Sequence, residues 1–224
     1  MSWEIFERAA SHYESWYSTP SGQRTDRAER ALLQTLLADF PSVRQVLEVG
    51  CGTGHFSAWL VSQGVRVVGL DRSPAMVTEL HRLTPTLPVI LGDAYRLPFR
   101  THAVDVVVFV TTLEFLDQVE IALGEAVRVA RQGLIMVVLN RWSLGGLSRR
   151  WGAQARGSLL GQARDYSVGS LRTMGQHAGG KRVRKIRWVS TLFPNGLWWL
   201  QAPLPVGEVL GMAAVLSEGA PARN

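Results

Sequence analysis

The chain has 224 residues, 46% of them hydrophobic, a net charge of +6 and one cysteine. That length makes one domain the default and supplies enough apolar material for a sizeable core, while the single Cys51 excludes a disulfide framework and a cysteine zinc site. The opening MSWEIFERAA carries acids and no long apolar run, and no stretch reaches the roughly 18 apolar residues of a membrane span; neither a signal peptide nor a spanning helix is expected, and a cytoplasmic setting follows.

Trp3, Phe6, Ala10, Tyr13 and Trp16/Tyr17 recur at three- to four-residue spacing, predicting an amphipathic helix over residues 2–17. STPSGQ reads as a loop. A second helix is expected over 26–40, with Leu32, Leu33, Leu36 and Leu37 on one side and Pro41 ending it. Short, almost wholly apolar strands follow at 45–49, 65–70, 88–91, 104–110 and 133–139, with helices fitting between at 54–63, 74–84 and 118–131. Strands of that kind have both faces covered, and their alternation with helices predicts a doubly wound, mostly parallel sheet. Beyond Asn140 the periodicity weakens. Residues 141–165 read as a loop with one or two short helices, 167–178 as a helix, and 181–193 and 211–217 as strands joined by an aromatic, proline-rich connection; the last residues look frayed. No internal repeat or domain boundary is evident.

Charge is unevenly spread. Residues 1–140 hold 12 Lys/Arg and 15 Asp/Glu, whereas residues 141–224 hold 12 and 3. The excess gathers at Arg141, Arg149, Arg150 and in KRVRKIR (181–187), where a nucleic acid, an anionic lipid or an acidic substrate are the partners to consider, beside a solvated strand face.

The densest information lies in VLEVGCGTGHFS (46–57) and VVGLD (67–71). A buried strand runs into a turn with Gly50, Gly52 and Gly54 at every second position, and the next strand ends in Asp71. Such a turn lets backbone approach a ligand, and an acid at the end of the second strand is placed for ribose hydroxyls. Ser73 and Pro74 start a helix at once after the acid, holding it at the strand edge. A dinucleotide fingerprint would need glycine where His55 stands, and the Gly-Lys-Ser/Thr of a phosphate loop is absent.

The Glu48-x-Gly-x-Gly-x-Gly run resembles motif I of the class I S-adenosylmethionine (SAM)-dependent methyltransferases. With Gly92-Asp93-Ala94 and Leu97-Pro98-Phe99, and an N-terminal helix such as FERAASHYESWY, the small-molecule "type 11" group is the nearest likeness. The resemblance is specific over about 42–140 and looser beyond. It implies a seven-stranded Rossmann-like sheet in one domain: a helical cap at 1–40, a SAM-binding core at 42–140, and a substrate-side insertion with C-terminal antiparallel strands at 141–224. It also implies the cofactor contacts. Glu48 would anchor the turn and the amino end of SAM, with Gly50, Gly52 and Gly54 closing on it; Asp71 would accept the ribose hydroxyls; Asp93 and Ala94 would meet the adenine, flanked by Arg72 and Met76. Thr111 would lie near the sulfonium, and Tyr13 and Tyr17 would cover the site.

The chemistry implied is in-line SN2 methyl transfer, for which alignment supplies much of the rate and a general base is needed only if the nucleophile carries a proton. Glu114 and His12 are the candidate bases carried forward; Asp165, Tyr166 and His177 qualify by type alone. The chain has VTTLEF where N/D-P-P-Y/F/W would mark adenine, cytosine or glutamine amino-methyltransferases, and it has no Pro-Cys nucleophile. No metal constellation is expected among the five histidines. Five late tryptophans, Trp142, Trp151, Trp188, Trp198 and Trp199, are candidates for an acceptor pocket suited to an apolar or cationic molecule. The expected partner is a small-molecule acceptor and the expected state a monomer or homodimer. An RNA methyltransferase using the basic end, a SAM-binding scaffold without catalysis, and a nucleotide-dependent oxidoreductase are the alternatives.

Overall fold

Strand β1 (Gln45–Val49) lies inside the sheet, between β2 (Arg66–Asp71) and β4 (Val104–Val110). The computed structural model describes residues 4–145, 159–194 and 196–217. With β3 (Val89–Leu91), β5 (Ala130–Leu139), β6 (Val183–Thr191) and β7 (Val209–Leu216), the sheet has seven strands in the order β3-β2-β1-β4-β5-β7-β6. The first five are parallel; β7 runs antiparallel to β5, and β6 antiparallel to β7. The predicted fold class is the observed one.

Alternation along the strands explains why they bury so completely. Leu47, Val107 and Phe109 face one side with Leu123 and Ala126 of α5 (Val119–Val129) and Leu171 of α6 (Val168–Gly179). Val46, Val106 and Val108 face the other, with Leu32 and Leu36 of α2 (Pro20–Leu37), Leu60 of α3 (His55–Ser62) and Leu80 of α4 (Pro74–Leu83). Every residue of β4 is buried, so the sheet is a shared core between two helical layers.

Element boundaries differ from expectation in two informative places. The first helix, α1 (Glu4–Tyr13), gives way to a 3-10 turn over Glu14–Ser18. Helix α2 then starts at Pro20, inside the segment read as a loop, because the Thr19 hydroxyl caps the Gly22 N–H at 3.0 Å and Pro20 occupies the first turn. Thr-Pro is a helix start as much as a turn signal. Most of residues 141–165, with Arg149, Arg150 and Trp151, lie outside the described residues; a 3-10 turn occupies Leu159–Gln162.

The basic strand is largely used by the fold itself. Lys185 and Arg187 of β6 pair with Asp39 beyond α2, at 2.6 and 3.3 Å, and Arg182 donates to the carbonyls of Val127, Ala130 and Arg131. No helix among the described residues is long and apolar enough to cross a membrane.

Candidate functional site

The strand order reverses between β1 and β4, the place where open α/β sheets bind ligands beyond their strand ends. The glycine turn leaves β1 there, with φ of +73°, +55° and +84° at Gly50, Gly52 and Gly54. Gly50 and Cys51 N–H both donate to the Leu70 carbonyl, tying the turn to β2. Asp71, at the end of β2, braces it from the side: Oδ2 accepts from Gly52 N–H at 2.7 Å and Oδ1 from Ser73 N–H at 2.9 Å. Burial raises its carboxyl above the ordinary range, against those backbone donors. Glu48, fully buried at the heart of β1, accepts from the Ser57 hydroxyl, and burial pushes it up to about 7. Cys51 is buried in the turn, which raises its thiol well above its usual value and argues against a reactive role.

Above the turn lies a cavity of about 750 Å³, within the range of small-molecule sites, about 300–1,000 Å³. It gathers Tyr13, Tyr17, Glu48, Gly50, Gly52, Asp71, Arg72, Met76, Asp93, Ala94 and Thr111 into one wall. Gly54 lies behind that wall and forms the start of α3. Asp93 accepts from Tyr95 N–H at 2.9 Å and stands 3.8 Å from Arg72. Thr111 ends β4 at φ +48°, rare for a residue with a side chain, with its N–H on the Val137 carbonyl.

The two candidate bases separate. His12 lines the cavity. Glu114 is not part of its lining; it is buried behind β4, where Oε1 accepts from Leu139 N–H at 2.7 Å and joins the ends of β4 and β5. Tyr166 is likewise engaged, its hydroxyl on the Leu113 carbonyl at 2.8 Å. The late tryptophans do not supply the wall expected of them. Trp142 and Trp199 are exposed, Trp188 packs against the core, Trp198 lines a separate, smaller cavity, and Trp151 falls outside the described residues. The late segment contributes Leu192, Glu208 and Val209, and among the described residues the tryptophan in the main cavity is Trp16.

The wall also holds a buried acid that the sequence did not single out. Glu29 of α2 is buried and lines the cavity. Its signal was present: it sits three, four and seven residues before Leu32, Leu33 and Leu36, a carboxylate on the apolar stripe.

The N-terminal segment is fastened over the site by carboxylates. Glu7 of α1 accepts from the Ser73 hydroxyl at the start of α4. Glu14 accepts from the Thr53 hydroxyl and lies 3.2 Å from His55 Nδ1, whose Nε2 is 2.7 Å from Asp26. Tyr17 stacks on the His55 ring at 3.6 Å. Burial opposes protonation of His55, but hydrogen bonds to Glu14 and Asp26 outweigh it and raise its pKa; burial likewise opposes ionisation of Glu14, but bonds from His55 and Thr53 hold it low. The His55 contribution is therefore complete below its ordinary value of 6.5 and lost as pH rises through the raised one. The Glu14 contribution is complete above 4.5 and lost on acidification. Hydrogen exchange over Glu4–Tyr13, corrected for intrinsic rates, is expected to be slowest between those values. His55→Ala should speed it and remove the alkaline limb.

A family model described as a methyltransferase domain matches residues 47–138. The chain is 32% identical over 152 residues to a malonyl-[acyl-carrier protein] O-methyltransferase of Pectobacterium atrosepticum, covering 66% of this chain and 56% of that protein. It is 39% identical over 113 residues to a demethylmenaquinone methyltransferase of Beutenbergia cavernae, covering 50% and 47%. The chain thus spans about half the length of these curated relatives. A crystal structure from Thermotoga maritima, described as a SAM-dependent methyltransferase and possible histamine N-methyltransferase, superposes with a TM-score of 0.79 at 27% identity, covering 96% of this chain and 99% of that one.

Proposed function

We infer that this chain, which belongs to the class I SAM-dependent methyltransferases, moves a methyl group from SAM to a small-molecule acceptor. The observation that carries the reading is Asp71 at the end of β2, its carboxylate bracing the glycine turn on the wall of a covered cavity. The residues fit the cofactor. A nucleoside needs an acceptor for its ribose hydroxyls beside a close-approaching backbone, which Asp71 and Gly52 supply. Arg72, Met76, Asp93 and Ala94 form a mixed polar and apolar wall for the base. Glu48, with Ser57, steadies the turn and offers negative charge toward an amino group.

Bound SAM supplies an activated methyl group on a positively charged sulfur. The protein's task is to hold the donor and acceptor in line and keep water out. Phe6, Tyr13, Trp16 and Tyr17 cover the cavity from the N-terminal segment, and burial keeps the hydroxyls of Tyr13 and Tyr17 protonated. The acceptor would enter from the side of Thr25, Leu139, Leu192 and Val209. His12 is the candidate base that this arrangement leaves in reach. The relatives' names refer to a malonyl group on a carrier protein, demethylmenaquinone and histamine, so no single acceptor carries over.

The covered cavity and the internal use of Arg182, Lys185 and Arg187 favour a small acceptor over RNA. Calorimetric titration with SAM and S-adenosylhomocysteine tests the reading. Micromolar binding of both is expected; a folded protein that binds neither would overturn it and turn attention to NAD(H).

A further inference from the structure

Helix α2 presents one stripe to the interior, and its chemistry changes along the way. Leu36 and Leu32 press on the sheet; Glu29, Thr25 and Ser21 continue the stripe at three- and four-residue steps along the cavity wall. Glu29 is only 5% exposed. Glu48, Asp71 and Asp93 on the cofactor side are each held by donors. Glu29 differs: among the described residues no donor reaches its carboxylate, and the charges that act on it, from Glu114 and Asp26, share its sign. Burial first, and then those two neighbours, push it up to about 8.

With no donor and like charges around it, such a group stays neutral in the empty cavity, and its carboxylate form needs an occupant that supplies the missing partner. An anion would add to the repulsion. A positively charged head would relieve it, and the aromatic walls of Phe6, Trp16, Tyr17 and Phe115 in the same cavity suit both a cation and an apolar body. We propose that the acceptor end of the cavity takes a small organic amine, bound as its ammonium with the Glu29 carboxylate as its counter-charge; the nitrogen becomes a nucleophile only after passing one proton to that carboxylate, which frees its lone pair for the methyl group. The proposal rests on the methyltransferase reading and names the acceptor class within it.

The experiment is calorimetric titration of the full chain, saturated with S-adenosylhomocysteine. The probes are phenethylamine and tryptamine, beside their alcohols (2-phenylethanol, tryptophol) and acids (phenylacetate, indole-3-acetate), on the wild type and on Glu29→Gln. The amines are expected to bind, and the alcohols and acids at least about tenfold more weakly, the scale of one charge-assisted hydrogen bond. Glu29→Gln is expected to cost the amines about 10- to 100-fold in affinity. It should leave S-adenosylhomocysteine affinity unchanged and the thermal midpoint no lower, since the amide keeps the shape of a group that burial already holds neutral in the empty cavity.

The proposal is overturned if no amine binds, if amine, alcohol and acid bind alike, or if Glu29→Gln leaves amine affinity intact. It is also overturned if the variant loses SAM but not S-adenosylhomocysteine, which would make Glu29 the partner of the sulfonium. A wild type that binds no S-adenosylhomocysteine overturns the methyltransferase reading and the proposal together. One that binds it but no amine overturns the proposal alone.

Discussion

Asp71→Ala is expected to weaken binding of both SAM and S-adenosylhomocysteine by about 100-fold or more, the worth of two hydrogen bonds to a charged acceptor. The carboxylate has two tasks. Toward the protein, Oδ2 holds Gly52 N–H and Oδ1 holds Ser73 N–H, fixing the turn against the start of α4. Toward the cavity, its remaining lone pairs would be the acceptors for ribose hydroxyls in the proposed cofactor site. Alanine removes both at once, so the turn loosens as the ligand loses its partner. Asp71→Asn separates them: the amide oxygen keeps one acceptor and the shape, but the charge is gone, and an intermediate loss is expected. Because the ionised carboxylate is the better acceptor and burial raises its pKa, affinity should rise as pH increases through that raised value and then level off. Calorimetry with both ligands at several pH values, with thermal denaturation to confirm folding, checks all three statements. Unchanged affinity in a folded Asp71→Ala would remove this residue from the cofactor site.

Local signals and long-range ones were not equally legible. The run from Val46 to Asp71 carries the parallel sheet and part of the cavity wall, because strand, turn and acid are chain neighbours whose spacing constrains their geometry. Periodicity identified the buried stripe of α2, but a stripe says only which face turns inward. Whether it meets a strand or an open cavity depends on where the helix passes the sheet edge, which is why Leu32 is core and Glu29 wall. Glu114 shows the converse difficulty. It follows β4 at the place where a base would stand, yet its carboxylate is used on Leu139 N–H, a partner 25 residues away that no local pattern announces. The fastening of the cap is equally hidden, since Glu14, Asp26 and His55 come together from three separate elements. The late tryptophans misled for a compositional reason: aromatic density marks packing or exposure as readily as a ligand wall, and Trp142 and Trp199 are exposed.

Gly50→Ala is expected to lower the thermal midpoint by roughly 5–10 °C, on a cost of about 3 kcal/mol, and to abolish detectable SAM binding. Two separable costs add. The residue sits at φ +73°, where a side chain costs about 1–2 kcal/mol. Its new Cβ would also lie 2.2 Å from Thr112 Cγ2 and 2.6 Å from Thr112 Oγ1. Neither neighbour can easily withdraw: the Thr112 hydroxyl donates to the Val110 carbonyl at 3.0 Å, and Gly50 N–H is held on Leu70 O at 2.7 Å. The turn must therefore shift, and the backbone lining of the cavity, where the proposed cofactor site lies, shifts with it. A second substitution distinguishes the two costs. Thr112→Ala removes both offending atoms and leaves one contact at 3.0 Å, so the double variant Gly50→Ala/Thr112→Ala should be more stable than Gly50→Ala alone. Residues in contact are expected to be non-additive in this way. The strain of the left-handed backbone remains in both, and the double variant should still fall short of the wild type. If the two variants melt together, the collision with Thr112 contributes nothing, and the intolerance of the site is conformational alone.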